Sequence, residues 1–152
     1  MRGILRWALV LAFGASLALG SGTAMAGGLG DYRWASRPLL LFAPTADDPR
    51  LADTLSRIDA SRCDFDGRDM VLGELMGSGA GTLDGRALDT GDVQQLRRQF
   101  GIDENAFTVV LIGKDGGEKY RVTGVPDLRV IYAVIDGMPM RSREMSDDPG
   151  RC

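Results

Sequence analysis

The chain carries apolar segments of two kinds, short continuous runs and longer stripes at helical spacing. The run Leu39–Ala43 lies between two prolines, which predicts a strand buried on both faces. Asp48 and Pro49 then predict the start of a helix, because an aspartate side chain caps free N–H groups and proline tolerates the first helical position. One apolar stripe follows at i, i+4 and i+7: Leu51, Leu55 and Ile58.

Three later segments have strand patterns. These are Met70–Leu75, Phe107–Ile112 and Glu118–Val122. The last two are joined by Asp115-Gly116-Gly117, which supplies turn chemistry and predicts a hairpin. The glycine-rich stretch 77–91 is expected to be a surface loop, and its Gly77–Gly81 string fails the spacing of a nucleotide-binding loop.

Two further helices are indicated. The first is expected over Thr90–Phe100, with Gly101 as its C-terminal stop. The second is expected to open at Pro126 and to end at Gly137 and Pro139, although its β-branched residues make it a weaker helix former. Apolar positions along it fall on one face: Leu128, Ile131, Tyr132 and Ile135.

The resulting element order is β-α-β-α-β-β-α. One parallel crossover followed by a helix, a hairpin and a closing helix predicts a four-stranded mixed sheet with helices on both faces, the thioredoxin-like arrangement. We expect this α/β domain to span 38–145, with a polar lead over 27–37 and a C-terminal tail over 146–152. A chain of 152 residues is long enough for one such domain.

The N-terminus has the pattern of a signal peptide over 1–26. Arg2 and Arg6 give a positive start, Trp7–Gly20 is an uncharged apolar stretch, and Ala24-Met25-Ala26 matches a cleavage site. A transmembrane anchor is disfavoured because small polar residues interrupt the apolar stretch. We therefore expect cleavage after Ala26 and a periplasmic or secreted mature protein.

Charge and composition exclude several functions. Cleavage would remove two arginines and no acid, leaving 16 basic and 21 acidic side chains. That excess of acid argues against nucleic acid or an anionic membrane as a partner. The chain has no histidine, which excludes Ser-His-Asp and Cys-His nucleophiles and His-ligated zinc. Two cysteines cannot form a four-thiolate zinc site, and we expect no cofactor.

Several strings are similar to those of a known family. They are Trp34–Ala43, Arg68-Asp69, Gly113–Lys119, Ile135–Arg141 and Glu144-Met145. Together they resemble a bacterial secreted family of domains of unknown function, related to a domain of the extracellular sushi-repeat-containing proteins. The resemblance implies a thioredoxin-like, sometimes peroxiredoxin-like, fold and no established reaction.

The usual redox site of that fold is missing from the sequence. A low-pKa cysteine would stand where the first strand meets the first helix, but residues 43–49 contain none. Two aspartates there would raise the pKa of a thiol. The cis-proline expected before the third strand is replaced by Ala106 and Phe107. The competing hypothesis is a thiol-dependent oxidoreductase or peroxidase that uses Cys63 or Cys152.

The two cysteines are expected to meet. We call the end of the sheet at which the first strand begins the bottom pole. The first and last helices of a thioredoxin-like topology both descend to it, so Cys63 and Cys152 follow helices that finish there. An oxidising compartment then favours a disulfide over two free thiols.

The same topology gathers charged residues at the bottom pole. One hypothesis is a binding pocket for a small anionic ligand or the acidic segment of a partner protein. The alternative is a surface network of ion pairs that fixes the termini. The residues are Arg37, Arg68, Asp69, Lys114, Asp115, Lys119, Asp136, Arg141 and Glu144.

Three methionines near the C-terminus raise another alternative. Met138, Met140 and Met145 carry soft thioethers suited to Cu(I), although such methionines more often fill a core. No histidine or nearby cysteine completes a copper site, and we predict no metal. The sequence therefore favours a binding or interaction module over an enzyme.

Overall fold

The computed structural model describes residues 26–152, so the predicted signal peptide lies outside the described residues except for Ala26. A 3₁₀ helix over Ala26–Tyr32 precedes the sheet. The strands are β1 (Arg37–Ala43), β2 (Met70–Met76), β3 (Gly81–Leu83), β4 (Arg86–Leu88), β5 (Thr108–Ile112) and β6 (Glu118–Thr123). The helices are α1 (Pro49–Ala60), α2 (Arg62–Asp66), α3 (Thr90–Phe100), α4 (Leu128–Asp136) and α5 (Pro139–Asp147).

The sheet has six strands in the order β4-β3-β2-β1-β5-β6. Strands β1 and β2 are parallel, and every other neighbouring pair is antiparallel. The mixed α/β fold is as predicted, but the strand number of four is wrong. The extra pair is the β3–β4 hairpin, which lies inside the segment predicted as a loop. Its turn is Asp84-Gly85, with φ values of 52° and 74°, and such a two-residue turn is a strong hairpin signal that outweighs the short flanking strands.

Alternation along β1 divides the core into two layers. Leu39 and Leu41 pack with apolar residues of α1, α2 and α4 on one face of the sheet. Leu40 and Phe42 pack with α3 and the 3₁₀ helix on the other face. Because β1 is central and covered on both sides, all seven of its residues are buried. Helices therefore cover both faces, as the sequence predicts.

Local capping sets most helix boundaries. The side chain of Asp48 accepts a hydrogen bond at the N-terminus of α1, and Asp89 and Asp127 do so for α3 and α4. Gly101 closes α3 with a left-handed φ of 65°. The prediction that α4 opens at Pro126 is two residues early, because Asp127 takes the capping position.

The last helix, α5, differs most from expectation. The sequence predicts that Pro139 ends α4, whereas Pro139 occupies the first turn of α5. Proline is favoured there because the missing N–H has no helical partner in any case. The predicted tail over 146–152 accordingly begins inside this helix. Within residues 26–152, no helix combines the length and hydropathy needed to cross a membrane.

Candidate functional site

The bottom pole is built by strand ends. Arg37 opens β1 opposite Met70, the first residue of β2. Strand β5 runs the other way, so its last residue, Ile112, lies at this end and leads into the turn before Glu118 of β6. Residues directly before β2 and directly after β5 are thereby brought beside Arg37.

Arg37 is the central cation of this pole. Its side chain is completely buried, and it donates hydrogen bonds of 3.0 and 3.1 Å to the two carboxylate oxygens of Glu144 in α5. It also donates to the main-chain oxygen of Arg68 at 2.8 Å. Its Nε has no hydrogen-bond partner among the described residues. Three of the five N–H groups of this buried guanidinium are engaged, and the Nε–H has no acceptor in that part of the chain.

Lys114 is the second buried cation. Its ammonium donates to Asp69 at 2.7 Å and to Glu144 at 2.6 Å. An ammonium has three N–H groups, so two of the three are engaged. Trp34 donates its main-chain N–H to the Lys114 carbonyl, and Trp34 and Asp69 both adopt a left-handed backbone, with φ of 66° and 52°. Such a conformation is strained for residues with a β-carbon, so the surrounding contacts hold the chain in place around Lys114.

Two further arginines share one carboxylate. Arg68 donates to both oxygens of Asp136, at 3.0 and 2.7 Å, and Arg141 donates to one of them at 3.2 Å. Arg141 is also buried, and its second contact is the main-chain oxygen of Gly67 at 2.8 Å. The guanidinium of Arg68 lies 4.7 Å from the ring centre of Tyr132, a cation–π arrangement.

Seven of the nine residues predicted for this pole form one ion-pair network. Asp115 and Lys119 stand outside that network, since they pair with each other at 2.6 Å in the β5–β6 turn, but they lie at the same pole beside Arg37 and Lys114. Sequence reasoning missed Asp64 and Arg151, which bind Arg68 and Asp69. Asp64 stands four residues before Arg68, a local spacing that could have marked it, whereas Arg151 reaches Asp69 only through the fold. The seven in the continuous network are Arg37, Arg68, Asp69, Lys114, Asp136, Arg141 and Glu144.

The network keeps its carboxylates ionised. Burial by itself would raise the pKa of Asp69, Asp136 and Glu144. Hydrogen bonds from lysine and arginine outweigh that effect and hold each pKa below its ordinary value. The pole is thus a set of paired charges at neutral pH, and none of these three groups is suited to act as a general acid there.

A disulfide joins Cys63 of α2 to Cys152, with Cα atoms 5.5 Å apart. The predicted bridge is confirmed. It holds the end of the chain against the network, where the Cys152 carbonyl lies 3.4 Å from a guanidinium nitrogen of Arg68. Both cysteines lie in exposed positions.

The opposite pole, where the redox centre of a thioredoxin-like protein would lie, holds no cysteine. Asp48 accepts hydrogen bonds from the main chain and guanidinium of Arg50, and these hold the pKa of its carboxyl below the ordinary value. Arg97 of α3 is buried and donates to the main-chain oxygens of Ala43 and Leu75, at 2.6 and 2.9 Å. Structural hydrogen bonds between an arginine and strand ends hold this pole together, and an open cavity of ≈ 340 Å³ lies beside Arg97.

A cavity of ≈ 230 Å³ opens beside the bottom-pole network. We call it the bottom-pole pocket. Met138, Pro139 and Met140 form one wall, at the start of α5. Met138 also packs against the core, while Met145 is exposed and does not line the pocket. The charged lining residues are Arg37, Lys114, Asp115 and Lys119.

Comparison with known proteins assigns the family. Residues 28–144 match the family model "Domain of unknown function (DUF4174)". The chain belongs to the DUF4174 family. Two curated relatives are much longer than this chain. The chain is 24% identical over 134 residues to Coiled-coil domain-containing protein 80 of Danio rerio, and 27% identical over 135 residues to Sushi repeat-containing protein SRPX of Rattus norvegicus. The matches cover 78% and 86% of this chain but only 16% and 29% of those proteins.

Solved structures support the fold assignment. The domain resembles reduced 2-Cys peroxiredoxin of Plasmodium vivax with a TM-score of 0.55 and 14% identity, covering 76% of this chain and 84% of that one. It resembles thioredoxin peroxidase I of Plasmodium yoelii with a TM-score of 0.52 and 17% identity, covering 82% of each chain. At such identities the likeness establishes a thioredoxin-like fold and carries no statement about chemistry.

Proposed function

We propose that this DUF4174 domain is an exported binding module that has the thioredoxin-like fold without its redox centre, and that its binding site is the bottom-pole pocket. The observation that carries the proposal is the distribution of functional groups. The pole at which a redox cysteine would lie has none, whereas the opposite pole has a cavity lined by two buried cations, Arg37 and Lys114, and by the apolar first turn of α5.

The ion pairs and the pocket have separate roles in this proposal. The paired charges hold α5, the end of the chain and the starts of the strands together. This is the role of the ion-pair network that the sequence offers as an alternative to a binding pocket. Binding uses what this network leaves unused, the third N–H of Lys114. A ligand anion that accepted it would satisfy a charged donor that is otherwise expensive to bury.

A thiol oxidoreductase is the competing function, and the exposed position of the Cys63–Cys152 disulfide is the observation in its favour. Exchange requires an accessible sulfur, and an exposed bridge is the kind that exchanges most readily. Copper binding by thioethers is weaker as an alternative, because Met138 packs against the core.

Two measurements on the protein from Gly27 onward separate these functions. Peroxide consumption and insulin reduction are assayed for the wild type and for Cys63→Ser. We expect no activity above the buffer control in either protein. An NMR titration of the wild-type amides with acetate, the simplest carboxylate probe, is expected to shift resonances of Lys114 and the first turn of α5. Turnover that disappears with Cys63→Ser would favour the oxidoreductase and overturn the proposal.

A further inference from the structure

A charged donor of the bottom-pole pocket lies beside an apolar wall. Lys114 is at least nine-tenths buried and lines the pocket, and its ammonium has one N–H beyond the two that bind Asp69 and Glu144. That N–H is a charge-assisted donor, and donors of that kind favour a carboxylate over a neutral acceptor. This polar side of the pocket therefore selects for a negative charge.

The N-terminus of α5 adds further positive charge to the pocket. Helices α1, α3 and α4 each have an aspartate that caps their first N–H groups, but α5 has Met138 at that position, and no side chain caps it. A thioether is a poor acceptor, so the first N–H groups of α5 keep the partial positive charge of a helix N-terminus. Met138, Pro139 and Met140, which form this first turn, all line the pocket.

The same wall is apolar in its side chains. Methionine adapts its shape to flexible aliphatic groups, and a proline beside two methionines gives a surface that water hydrates poorly. A ligand that only carried charge, such as sulfate, would leave this wall uncovered. A ligand that was only apolar would leave the third N–H of Lys114 unpaired.

We infer that the pocket binds a carboxylate directly attached to a short apolar chain, with the carboxylate on Lys114 and the apolar chain against Met138 and Met140. This inference rests on the proposed function and names its ligand class. The volume of ≈ 230 Å³ is below the range of ~300 Å³ and upward that drug-sized ligands occupy, so the ligand is small. A free short-chain acid and the C-terminus of a peptide with an apolar last residue share this chemistry.

The test compares matched probes by calorimetry and amide NMR. Hexanoate is expected to bind at least about tenfold more tightly than hexanamide, which lacks the charge, since hydrogen bonds to charged donors are the stronger kind. It is also expected to bind at least about tenfold more tightly than acetate, which lacks the apolar chain, because each buried methylene adds affinity. A leucine-terminated dipeptide with a free or an amidated end distinguishes the two sources. Tighter binding than hexanoate, lost on amidation, indicates a peptide C-terminus, and weaker binding indicates a free acid.

Variants locate the site. Met140→Glu puts a carboxylate into the pocket that Lys114 lines, and it is expected to abolish hexanoate binding. Met145→Glu is the matched control, because Met145 lies on the same helix but outside the pocket. Lys119→Glu is a second variant, at an exposed position that lines the pocket. It is expected to weaken hexanoate binding, and it provides the test if Met140→Glu fails to fold. Equal affinity for hexanoate and hexanamide, or for hexanoate and acetate, would overturn the inference while leaving a binding module. Hexanoate binding that survives both pocket variants, or no shift with any probe, would overturn the proposed site as well.

Discussion

Gly67 and Cys152 pack main chain against main chain. A β-carbon added to Gly67 would lie 2.7 Å from the carbonyl carbon of Cys152 and 2.9 Å from the carbonyl oxygen of Cys63. The φ of Gly67 is −61°, a normal helical value, so the contact and not the backbone conformation requires glycine. The disulfide, the end of α2 and the last residue therefore form one tightly packed unit.

Gly67→Ala is expected to lower the free energy of unfolding by about 1–3 kcal/mol, because the added methyl group overpacks a site made of main-chain atoms. Gly137→Ala is the matched control. Its φ is −78° and its β-carbon would meet carbonyl oxygens at an ordinary 3.6 Å, so this change is expected to be neutral or slightly stabilising. Urea unfolding measures both. Equal stability of the two variants would contradict the packing interpretation.

The Cys63–Cys152 disulfide is expected to stabilise the fold substantially. It links residues separated by 89 positions, and the chain-entropy account of such a loop gives an upper value of about 4–5 kcal/mol. The double change of Cys63 and Cys152 to serine should therefore lower the midpoint of urea unfolding, and a reductant should lower the wild-type midpoint in the same way. Thiol titration of the denatured, unreduced wild type should find no free thiol. Two free thiols would disprove the bridge.

Glu144→Gln is expected to lower the free energy of unfolding at neutral pH by about 1–3 kcal/mol, since two buried cations lose their shared anion. The exposed pair of Glu118 and Arg121 supplies a control, and Glu118→Gln should change stability by no more than about 0.5 kcal/mol. Thermal or urea unfolding at pH 7 compares the two. A Glu144→Gln variant as stable as Glu118→Gln would mean that the ion pairs at the pole contribute nothing measurable.

Low pH is expected to lower the stability of the wild-type protein through protonation of Glu144. The hydrogen bonds from Arg37 and Lys114 hold the pKa of Glu144 below its unfolded value of 4.5. The unfolded chain therefore binds the proton more readily, and the stabilisation is complete above that pH and is lost as the pH falls through the folded pKa. Denaturant titrations at a series of pH values should show a shallower acid decline for Glu144→Gln than for the wild type. Parallel declines would contradict the assignment.

Arg97→Met tests the pole opposite the bottom-pole pocket. The buried guanidinium of Arg97 donates to the carbonyls of Ala43, Leu75 and Asp103. Burial lowers the pKa of this arginine, yet removing it would take three hydrogen bonds away, although the Ala43 and Asp103 carbonyls would each keep a main-chain donor. We expect a loss of about 1–3 kcal/mol. Arg98→Met, at the neighbouring exposed position, should change stability by less than about 0.5 kcal/mol in the same assay.

Most of the secondary structure was accessible from sequence because its determinants are local. Asp48 and Pro49 mark the start of α1, and Gly101 ends α3, within the few residues that each motif describes. Of the elements that sequence reasoning missed, the β3–β4 hairpin carries a clear local signal in Asp84-Gly85, and α5 carries an ambiguous one. Pro139 is an example, because proline is compatible both with ending one helix and with opening the next.

The candidate site was predictable only in part. Chain direction sufficed to bring Cys63 and Cys152 to one pole and to gather Arg37, Lys114 and Glu144 there. Which charges pair, and which donors stay unused, depends on side-chain geometry between elements that are far apart in the sequence.

By itself the sequence determined the α/β arrangement with helices on both faces of the sheet, the absence of a cysteine where the redox centre would be and the shared pole of the two thiols. These follow from periodicity, caps and chain direction, which act over a few residues or over the whole topology. Only the tertiary structure decided that Glu144 is shared by Arg37 and Lys114, and that the first turn of α5 lines a cavity beside them. The physical reason is that burial of a charge is set by everything packed around it, and no local pattern encodes that environment.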